Sequence, residues 1–389
     1  MADKKRILVL QPNYQSNSEI WLQRMTFFLQ DNIISIGAFN PNENKWRNKI
    51  PVFDLGKPHY SLLKRLMHRI SPNLLPPPKK LIEKQLLNKI QSADILLIHF
   101  IGPAIYFKKV IEKINIPVFI HVHGADIFWD LKKINPFGES YYNDIYIEQV
   151  REIGKHVCFI SNSNFSTNKL LQIGIPQLKI KMKYFGVPEQ KILHKSENSI
   201  PIILFLGRLV DFKGPDQVIK AFELTRKKGC NARLIIAGDG PLKVTCELLR
   251  HHSKYAADID ILGEVNYKKA EELYHLADIY TMHNIKGPLT NQEEAFGVSI
   301  IEAMSYGLPV VTAKSGAVCE TVVHNETGII IEPYDIEAHA EALISLVCNY
   351  NKRRKMGEAG KKRIKETFSV EAEEKQLKEI LGIIKAWCT

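Results

Sequence analysis

Two carboxylates, Glu294 and Glu302, are separated by seven residues in the segment EEAFGVSIIEAMSYGLPVV, residues 293–311. Apolar residues recur at helical spacing between and after them, Gly307 marks the end of that helix, and LPVV reads as the start of a buried strand. Glu294 is therefore predicted to lie in the loop before a helix, and Glu302 inside the helix.

The start of this helix is suited to binding an anion, because its first N–H groups lack helical partners and its dipole is positive there. Gly297 lets the backbone approach a ligand closely at this point. Carboxylates would repel a phosphate, so Glu294 and Glu302 are better suited to accept hydrogen bonds from neutral hydroxyls beside it. A diphosphate with a sugar at each end fits. A solvated loop charge and an ordinary helix residue remain the alternative.

A second pair of charges follows another apolar strand, in IILFLGRLVDFKG. Arg208 could hold phosphate oxygens through its planar fork, and Lys213 could add a point charge. Ordinary surface charge would also explain them. In an open parallel sheet, however, ligands bind beyond the carboxyl ends of the strands, where both residues fall.

The elements that must position these residues alternate between strand-like and helical patterns, which is typical of parallel α/β sheets. We predict strands in ten segments: residues 7–10, 33–39, 93–100, 117–124, 156–162, 201–208, 232–240, 259–265, 277–284 and 308–314. The first five and the last five each resemble one Rossmann-like unit, separated by a polar segment.

The composition is that of a globular protein long enough for two domains, with 389 residues, 45% of them apolar and 24% charged. We expect an N-terminal domain at 1–192, a second domain at 193–369 and a helix at about 370–389 that crosses back to the first. No secretory signal or membrane-spanning run is recognisable, and the six cysteines form no C-x-x-C pair. These features predict a cytoplasmic protein with neither a disulfide framework nor a zinc site.

The net charge of +11 is concentrated in residues 57–90, which hold eight Lys and Arg against one Glu. Apolar residues at helical spacing near Lys64, Arg65 and Arg69 suggest an amphipathic helix that could lie on an anionic membrane surface. A core-packed helix with a solvated basic face is the alternative. No nucleic-acid motif accompanies the charge, so a nucleic-acid partner is not expected.

Five motifs occur in order over most of residues 200–335: GRLVDFKGPDQVIKAF, IIAGDGP, ILGEV, EAFGVSIIE with AMSYGLPVV, and GAVCETVVHNETGIII. This set resembles family 4 of the glycosyltransferases. In the first half the likeness rests on HVHGADIFW, SNSNFS and FGVP. The resemblance implies an α/β, GT-B fold, in which two Rossmann-like domains face each other across a cleft and the C-terminal helix crosses back to the first domain.

The resemblance also implies roles for the charged residues of the second half. Arg208 and Lys213 would bind the diphosphate of a nucleotide sugar. Glu294 would contact hydroxyls of the transferred sugar, and Glu302 those of the ribose. The last two roles agree with the hydrogen-bonding argument made from the segment alone.

Further roles follow from the same resemblance. Backbone amides around Phe296, Gly297 and Val298 would reach the sugar and the phosphate. His123, in the first-half segment HGAD, would face the donor sugar across the cleft with Asp126 close by. A satisfied structural histidine is the alternative for His123.

The sequence departs from the family pattern at two places. PNYQSNSE at 12–19 stands where a glycine-rich loop is usual, so side chains such as those of Asn13, Ser16 and Ser18 could replace amide contacts. The loop HNIKGPLTNQE at 283–293 is an insertion beside the predicted sugar site, where it could influence specificity.

Two further motifs could suggest a metal site or a dinucleotide-binding loop, but neither fits its context. Asp258 and Asp260 form an Asp-x-Asp, but they precede or enter a predicted strand, so we expect no metal there. IIAGDGP is not part of a G-x-G-x-x-G after a first strand, which argues against a nicotinamide enzyme.

The resemblance thus predicts a retaining, metal-independent, hexosyltransferase-like enzyme without a cofactor. Its donor would be a UDP- or GDP-linked sugar, and its acceptor a glycan or lipid-linked molecule in cell-envelope polysaccharide or glycolipid synthesis. The predicted location is the cytoplasm, including a peripheral position on the inner face of the membrane. A sugar-nucleotide epimerase and a non-enzymatic partner protein of the same fold are the alternatives.

Overall fold

The computed structural model describes residues 4–13, 20–40, 50–57, 78–128, 144–190 and 199–384. In these ranges the chain forms two parallel β-sheets, and helices connect the successive strands. The predicted α/β fold with two Rossmann-like domains is therefore confirmed.

The first sheet consists of β1 (Ile7–Asn13), β2 (Ile33–Asn40), β3 (Val52–Asp54), β4 (Ile95–His99), β5 (Val118–His121), β6 (Cys158–Ser161) and β7 (Ile180–Met182). These strands pair in the order β3-β2-β1-β4-β5-β6-β7, and all the pairs are parallel.

The second sheet consists of β8 (Ile202–Leu206), β9 (Arg233–Ala237), β10 (Ile259–Gly263), β11 (Ile279–Thr281), β12 (Val310–Ala313) and β13 (Gly328–Ile331). These strands pair in the order β10-β9-β8-β11-β12-β13, again all parallel.

Six described helices accompany the first sheet: α1 (Ile20–Phe28), α2 (Pro78–Ile90), α3 (Ile101–Tyr106), α4 (Lys108–Ile111), α5 (Asp144–Gly154) and α6 (Asn164–Gln172). The others are α7 (Pro215–Lys227), α8 (Lys243–His252), α9 (Tyr267–Leu276), α10 (Val298–Ser305), α11 (Val318–Thr321), α12 (Ile336–Val347), α13 (Tyr350–Thr367) and α14 (Val370–Ile380).

The strand order reverses once in each sheet, between β1 and β4 in the first and between β8 and β11 in the second. In open parallel sheets a crevice forms at this reversal, beyond the carboxyl ends of the strands, because the helices on either side of it pack on opposite faces. His99 ends β4 and Leu206 ends β8. The residues that follow these strands are thereby directed to the cleft.

All ten predicted strands are present, and the central ones fit the prediction best. Ile95–His99 is buried at every position, as expected for a parallel strand covered on both faces. Three further strands were missed. Val52–Asp54 and Ile180–Met182 have only three residues each, and Gly328–Ile331 begins with a weak strand former.

The C-terminal helix α14 returns to the first domain, as predicted. The buried Lys183 ammonium lies 2.5 Å from a carboxylate oxygen of Glu373, whose other oxygen accepts the N–H of Gly186 at 2.9 Å. Ser369, just before the helix, forms an isolated parallel β-bridge with Val187. The described helix ends at Ile380, and residues 385–389 of the predicted span lie outside the described residues.

The basic segment 57–90 is described only in part. Lys64, Arg65 and Arg69 lie outside the described residues. In the described α2, Ile82 and Leu86 are buried in the core, whereas Lys79, Lys80 and Lys84 are exposed. Both interpretations of the helix near Lys64 therefore stay predictions. None of the described helices combines the length and apolar composition that crossing a bilayer requires.

Candidate functional site

A cavity of about 700 Å³ lies between the two domains, beyond the carboxyl ends of their strands. All eight residues predicted for the site line this cavity: His123, Arg208, Lys213, Glu294, Phe296, Gly297, Val298 and Glu302. The fold therefore gathers residues that are up to 179 positions apart in sequence; what each does there remains a prediction.

Helix α10 begins at the cavity wall as the sequence predicted. Gly297 precedes its first residue with φ of 90°, a left-handed conformation that a side chain would strain. A Cβ at this position would also lie 2.9 Å from Cδ1 of Ile300. Glycine is thus needed for the chain to turn into the helix here, and the helix N-terminus is left open to the cavity.

Lys213 and Glu294 form the best defined charged contact of the site. The Lys213 Nζ atom lies 2.9 Å from Oε2 of Glu294, and each side chain is only about a tenth exposed. The side-chain amide of Asn284 donates to the same carboxylate oxygen at 3.3 Å. The cation expected at the phosphate and the carboxylate expected at the sugar therefore lie side by side.

The loop that carries Arg208 and Lys213 follows β8 directly. It makes a 3₁₀ turn at Asp211–Lys213 and then a left-handed residue, Gly214, from which α7 starts. Arg208 is exposed, and its guanidinium carbon lies 6.0 Å from the ring centre of Phe212. The guanidinium is thus free to approach a ligand, while the lysine is already fixed.

Glu302 lies deeper, on α10, beside the hydroxyl of Tyr274. That hydroxyl donates to Oε2 of Glu302 at 3.1 Å. Burial raises the pKa of Glu302, opposed by the positive charge of Arg24 and by the Tyr274 hydrogen bond. Burial also raises the pKa of Tyr274, so the hydroxyl keeps its proton and acts as a donor.

The opposite wall, from the first domain, is mainly aromatic, although the charged Arg24 also belongs to it. The His123 ring centre lies 4.2 Å from that of Trp21 and 4.5 Å from that of Phe100. Its Nε2 atom lies 3.2 Å from Nδ1 of His99. Burial lowers the pKa of His123, which keeps the ring neutral.

Asp126, predicted to lie close to His123, holds the backbone of its loop. Its carboxylate accepts the N–H groups of His123 and Gly124, both at 3.0 Å, and that of Ile101 at 3.2 Å. Burial raises the pKa of Asp126 to about 6, although these hydrogen bonds act in the opposite direction. Asp126 therefore fixes the backbone of His123 rather than its ring.

The two walls touch where the HGAD loop meets the loop of Glu294. The Ser163 hydroxyl donates to the carbonyl oxygen of Ala295 at 2.7 Å. Gly124 has φ of 120°, and a Cβ there would lie 2.9 Å from that of Ala295. The backbone around Glu294 is thus fixed by the first domain as well as by its own.

Glu320 forms a second link between the domains. Its carboxylate accepts the N–H of Asn164 at 2.8 Å and that of Phe165 at 2.9 Å, at the start of α6. The Tyr184 hydroxyl donates to the same group at 3.2 Å. A second-domain side chain therefore caps a first-domain helix.

Sequence reasoning missed Asp211, which organises the inserted loop 283–293. This buried carboxylate accepts the N–H groups of Leu289 and Thr290, each at 2.8 Å, and the Thr290 hydroxyl, also at 2.8 Å. The insertion is thereby tied to the loop that carries Arg208 and Lys213. An acidic residue within the apolar run LVDF was the available signal.

Trp21 and Arg24 were also missed; both lie on α1 and line the cavity. The Arg24 guanidinium donates to the carbonyl oxygen of Gly186. No local motif marks either residue, because they reach the cavity only through the packing of α1. The nearby residues Ser16 and Ser18 lie outside the described residues.

The Asp-x-Asp motif lies away from the cavity lining. Asp258 pairs with Arg226 and Asp260 with Arg233, each at 2.8 Å. The two carboxylates are therefore engaged in separate ion pairs. IIAGDGP, in contrast, contributes Gly238 and Asp239 to the cavity wall.

Comparison with known proteins agrees with this geometry. Residues 188–363 match the family model described as glycosyl transferases group 1. The resemblance noted from the motifs is thereby confirmed for the second half of the chain, the half that contributes the charged wall.

Curated relatives match only part of the chain. A GDP-mannose-dependent alpha-(1-6)-phosphatidylinositol monomannoside mannosyltransferase of Mycobacterium tuberculosis is 30% identical over 161 residues, covering 41% of this chain and 42% of the relative. The capsular polysaccharide biosynthesis glycosyltransferase CapM of Staphylococcus aureus is 27% identical over 226 residues, 57% of each chain. The chain thus spans about half the length of these relatives.

Solved structures agree over almost the whole chain. Anabaena HepE in complex with UDP-glucose superposes with a TM-score of 0.74 at 19% identity, covering 97% of this chain and all of the other. WaaG, described as a glycosyltransferase involved in lipopolysaccharide biosynthesis, has a TM-score of 0.70 at 14% identity, covering 97% and 100%. At such identities the likeness establishes the shared fold.

Proposed function

Because residues 188–363 match the family model described as glycosyl transferases group 1, we propose that this protein moves a sugar from a nucleotide diphosphate sugar to an acceptor hydroxyl with retention of configuration. The observation that carries the proposal is the placement of Arg208, Lys213, Glu294 and Glu302 around one cavity at the start of α10. These are the groups that a diphosphate between two sugars needs.

The charged wall is suited to stabilise the leaving diphosphate. As the bond to the sugar breaks, negative charge develops on the diphosphate, and fixed positive groups lower the energy of that state. Arg208, Lys213 and the N-terminus of α10 supply such charge. Because Lys213 Nζ lies 2.9 Å from Glu294, a phosphate held by the lysine brings its sugar beside the carboxylate.

The deeper part of the cavity is suited to the nucleoside. Glu302, held by the Tyr274 hydroxyl at 3.1 Å, can accept hydrogen bonds from ribose hydroxyls. Three tyrosines, Tyr267, Tyr274 and Tyr306, line the same region and offer flat surfaces to a base.

We also propose that no divalent cation is needed at the diphosphate, because protein groups provide the positive charge there. Rates measured with and without added Mg²⁺ or Mn²⁺ test this point. Equal rates are expected, and an absolute requirement for either ion would contradict it.

On the first-domain side, His123 faces the donor sugar and the acceptor hydroxyl enters beside it. The departing phosphate takes the acceptor proton, so attack comes from the face that the diphosphate leaves. Closure of the cleft would limit hydrolysis by excluding water. The anomeric configuration of the product, measured by NMR during the first turnovers, tests retention: an inverted anomer would overturn it.

The proposed donor carries UDP or GDP, and the proposed acceptor is a glycan or lipid-linked molecule of the cell envelope. Support comes from the relatives, whose names include GDP-mannose-dependent transfer to a phosphatidylinositol mannoside, and from HepE, which was solved with UDP-glucose. The basic segment 57–90 would bring the protein to the anionic inner face of the membrane.

Membrane binding is tested by sedimentation with vesicles that contain anionic lipid. The full chain is expected to co-sediment, and neutralising Lys64, Arg65 and Arg69 together should release most of it. Equal sedimentation of the variant, or none of the wild type, would contradict this part of the proposal.

The central experiment screens UDP- and GDP-sugars for thermal stabilisation of the chain. One donor is expected to raise Tm for the wild type and for Arg233→Ala, an exposed arginine away from the cavity, but not for Arg208→Ala. The selected donor is then incubated without acceptor. Conversion to an epimeric nucleotide sugar would favour an epimerase, and the absence of any stabilising donor would favour a non-enzymatic role.

A further inference from the structure

Three histidines meet at the carboxyl ends of two neighbouring strands, behind the aromatic wall of the cavity. His99 ends β4 and His121 ends β5, which pairs with β4 so that the two residues lie opposite each other in register. His123 follows two residues after His121. One ring nitrogen from each of the three lies within 4.8 Å of the other two.

The spacing of these nitrogens approaches that of metal ligands. A zinc ion with bonds of about 2.0–2.1 Å in tetrahedral geometry holds its ligand nitrogens about 3.3–3.4 Å apart. Nδ1 of His99 and Nε2 of His123 lie 3.2 Å apart. One pair is thus already at ligand spacing, and a nitrogen of His121 lies within 4.8 Å of both.

The cluster leaves buried polar atoms without partners. His121 is fully buried, and neither of its ring nitrogens has a hydrogen-bond partner; Nδ1 of His123 lacks one too. Leaving such a group unsatisfied is unfavourable, and most buried polar groups are satisfied. An ion held by one nitrogen from each ring would give His121 the partner that no protein group supplies.

The charges around the cluster are compatible with a cation. The buried Lys183 ammonium is the positive group that acts on all three rings, and Glu373 neutralises it at 2.5 Å. The Asp126 carboxylate adds negative charge next to His123. Burial keeps the imidazoles neutral, and neutral imidazole is the form that binds metals.

We propose that His99, His121 and His123 bind one divalent transition-metal ion of the kind that imidazole favours, such as Zn²⁺, Co²⁺ or Ni²⁺. Nothing in the proposed sugar transfer requires this ion, and it is distinct from a cation at the diphosphate. Its binding fixes the His123 ring, which lines the cavity, and leaves a fourth ligand position for water.

The test uses the full chain without an affinity tag of histidines. After metal removal and dialysis against Zn²⁺, elemental mass spectrometry should find about one tightly held ion per chain. We expect His99→Gln and His121→Gln each to lower the zinc content at least tenfold, as loss of one of three protein ligands should. His252→Gln, in the exposed pair His251 and His252 on α8, is the matched control and should retain the ion.

Co²⁺ gives a second measurement that needs no variant. Tetrahedral nitrogen ligation should produce visible absorption bands in the wild type, and added Zn²⁺ should abolish them. The proposal is overturned if the wild type holds no ion and shows no bands, if folded His99→Gln and His121→Gln keep the ion, or if His252→Gln loses it.

Discussion

The two walls of the cavity are built on the same kind of parallel sheet but carry different kinds of side chain. The second-domain wall carries Lys213 and Glu294 in contact at 2.9 Å, with Arg208 and Glu302 nearby. The first-domain wall presents the rings of Trp21, Phe100 and a neutral His123, with Arg24 as its charged residue. Fixed charges suit a diphosphate, whereas a ring surface suits a less charged group such as a sugar face.

This difference is also seen in the comparisons, because the family model and the solved structures cover different shares of the molecule. The family model matches residues 188–363, which include the charged wall. The aromatic wall shares only its fold with the solved structures, at 19% identity or below for HepE and WaaG. Variants on the two walls should therefore change different kinetic quantities.

The largest effect is expected on the charged wall. Lys213→Ala removes the ammonium that we place at the diphosphate and should lower kcat/KM about 100- to 1,000-fold, as for other fixed groups that stabilise developing charge. Initial rates with the selected donor measure this loss. Lys220→Ala, a half-exposed lysine on α7 outside the cavity, should stay within about twofold of the wild type. Equal rates for the two variants would contradict the proposal that the charged wall stabilises the diphosphate through Lys213.

Behind the charged wall, a buried histidine pair should make stability depend on pH. Nδ1 of His283 lies 2.8 Å from Nδ1 of His339, and the backbone N–H of His283 donates to the carbonyl oxygen of Lys213 at 3.2 Å. Burial lowers the pKa of His283 to about 4, opposed by Asp335 and aided by Lys220. As pH falls, the His283 imidazole therefore becomes protonated in the unfolded chain before it does so in the folded protein.

The stability that His283 contributes is complete above the ordinary histidine pKa of about 6.5 and is lost as pH falls toward 4. Between pH 7 and pH 5, this residue should account for about 1–2 kcal/mol of the loss in unfolding free energy. Urea unfolding of the wild type and His283→Gln at both pH values measures it. If the unfolding free energy of the variant falls between pH 7 and pH 5 by as much as that of the wild type, His283 does not cause the pH dependence.

On the aromatic wall, Trp21→Ala should lower kcat/KM about tenfold and leave donor affinity unchanged, because the ring contacts His123 rather than the charged groups. Calorimetric titration with the donor, in parallel with rate measurements, separates the two quantities. A large loss of donor affinity would show that the aromatic wall also holds the nucleotide.

The smallest effect concerns the link between the walls. Glu320→Ala removes the acceptor of two N–H groups at the start of α6, where the Ser163 cap remains, and should lower stability by about 1 kcal/mol, or roughly 1–2 °C in Tm. Glu326→Ala, an exposed residue of the same region, should not change Tm measurably. If both variants melt at the wild-type temperature, the contact between the domains is not maintained by Glu320.

The charged wall was predictable because its residues lie in short segments with local signals. Glu294, Gly297 and Glu302 are positioned by one loop and one helix, whose start and end are encoded by glycines. The buried strands were predictable for a related reason: parallel strands covered on both faces are continuous apolar runs. The three missed strands were too short or too weakly apolar to give that signal.

The aromatic wall and the histidine cluster were predicted only at His123. Trp21 and Arg24 reach the cavity because α1 packs beside β1, and His99 meets His121 because β4 and β5 pair in register. Such contacts depend on distances between elements, which no local pattern contains. The three histidines stand at positions 99, 121 and 123, and only the pairing of β4 with β5 brings His99 to the other two.

The sequence alone therefore determined the α/β class, the order of strands and helices, and the local geometry of the segments that hold the diphosphate candidates, since all of these depend on interactions between near neighbours. Tertiary structure decided which residues from the two halves share a cavity, which carboxylates are already paired, and where three imidazoles converge. These depend on strand order and on the packing of two domains, which bring together groups as far apart in sequence as His123 and Glu302.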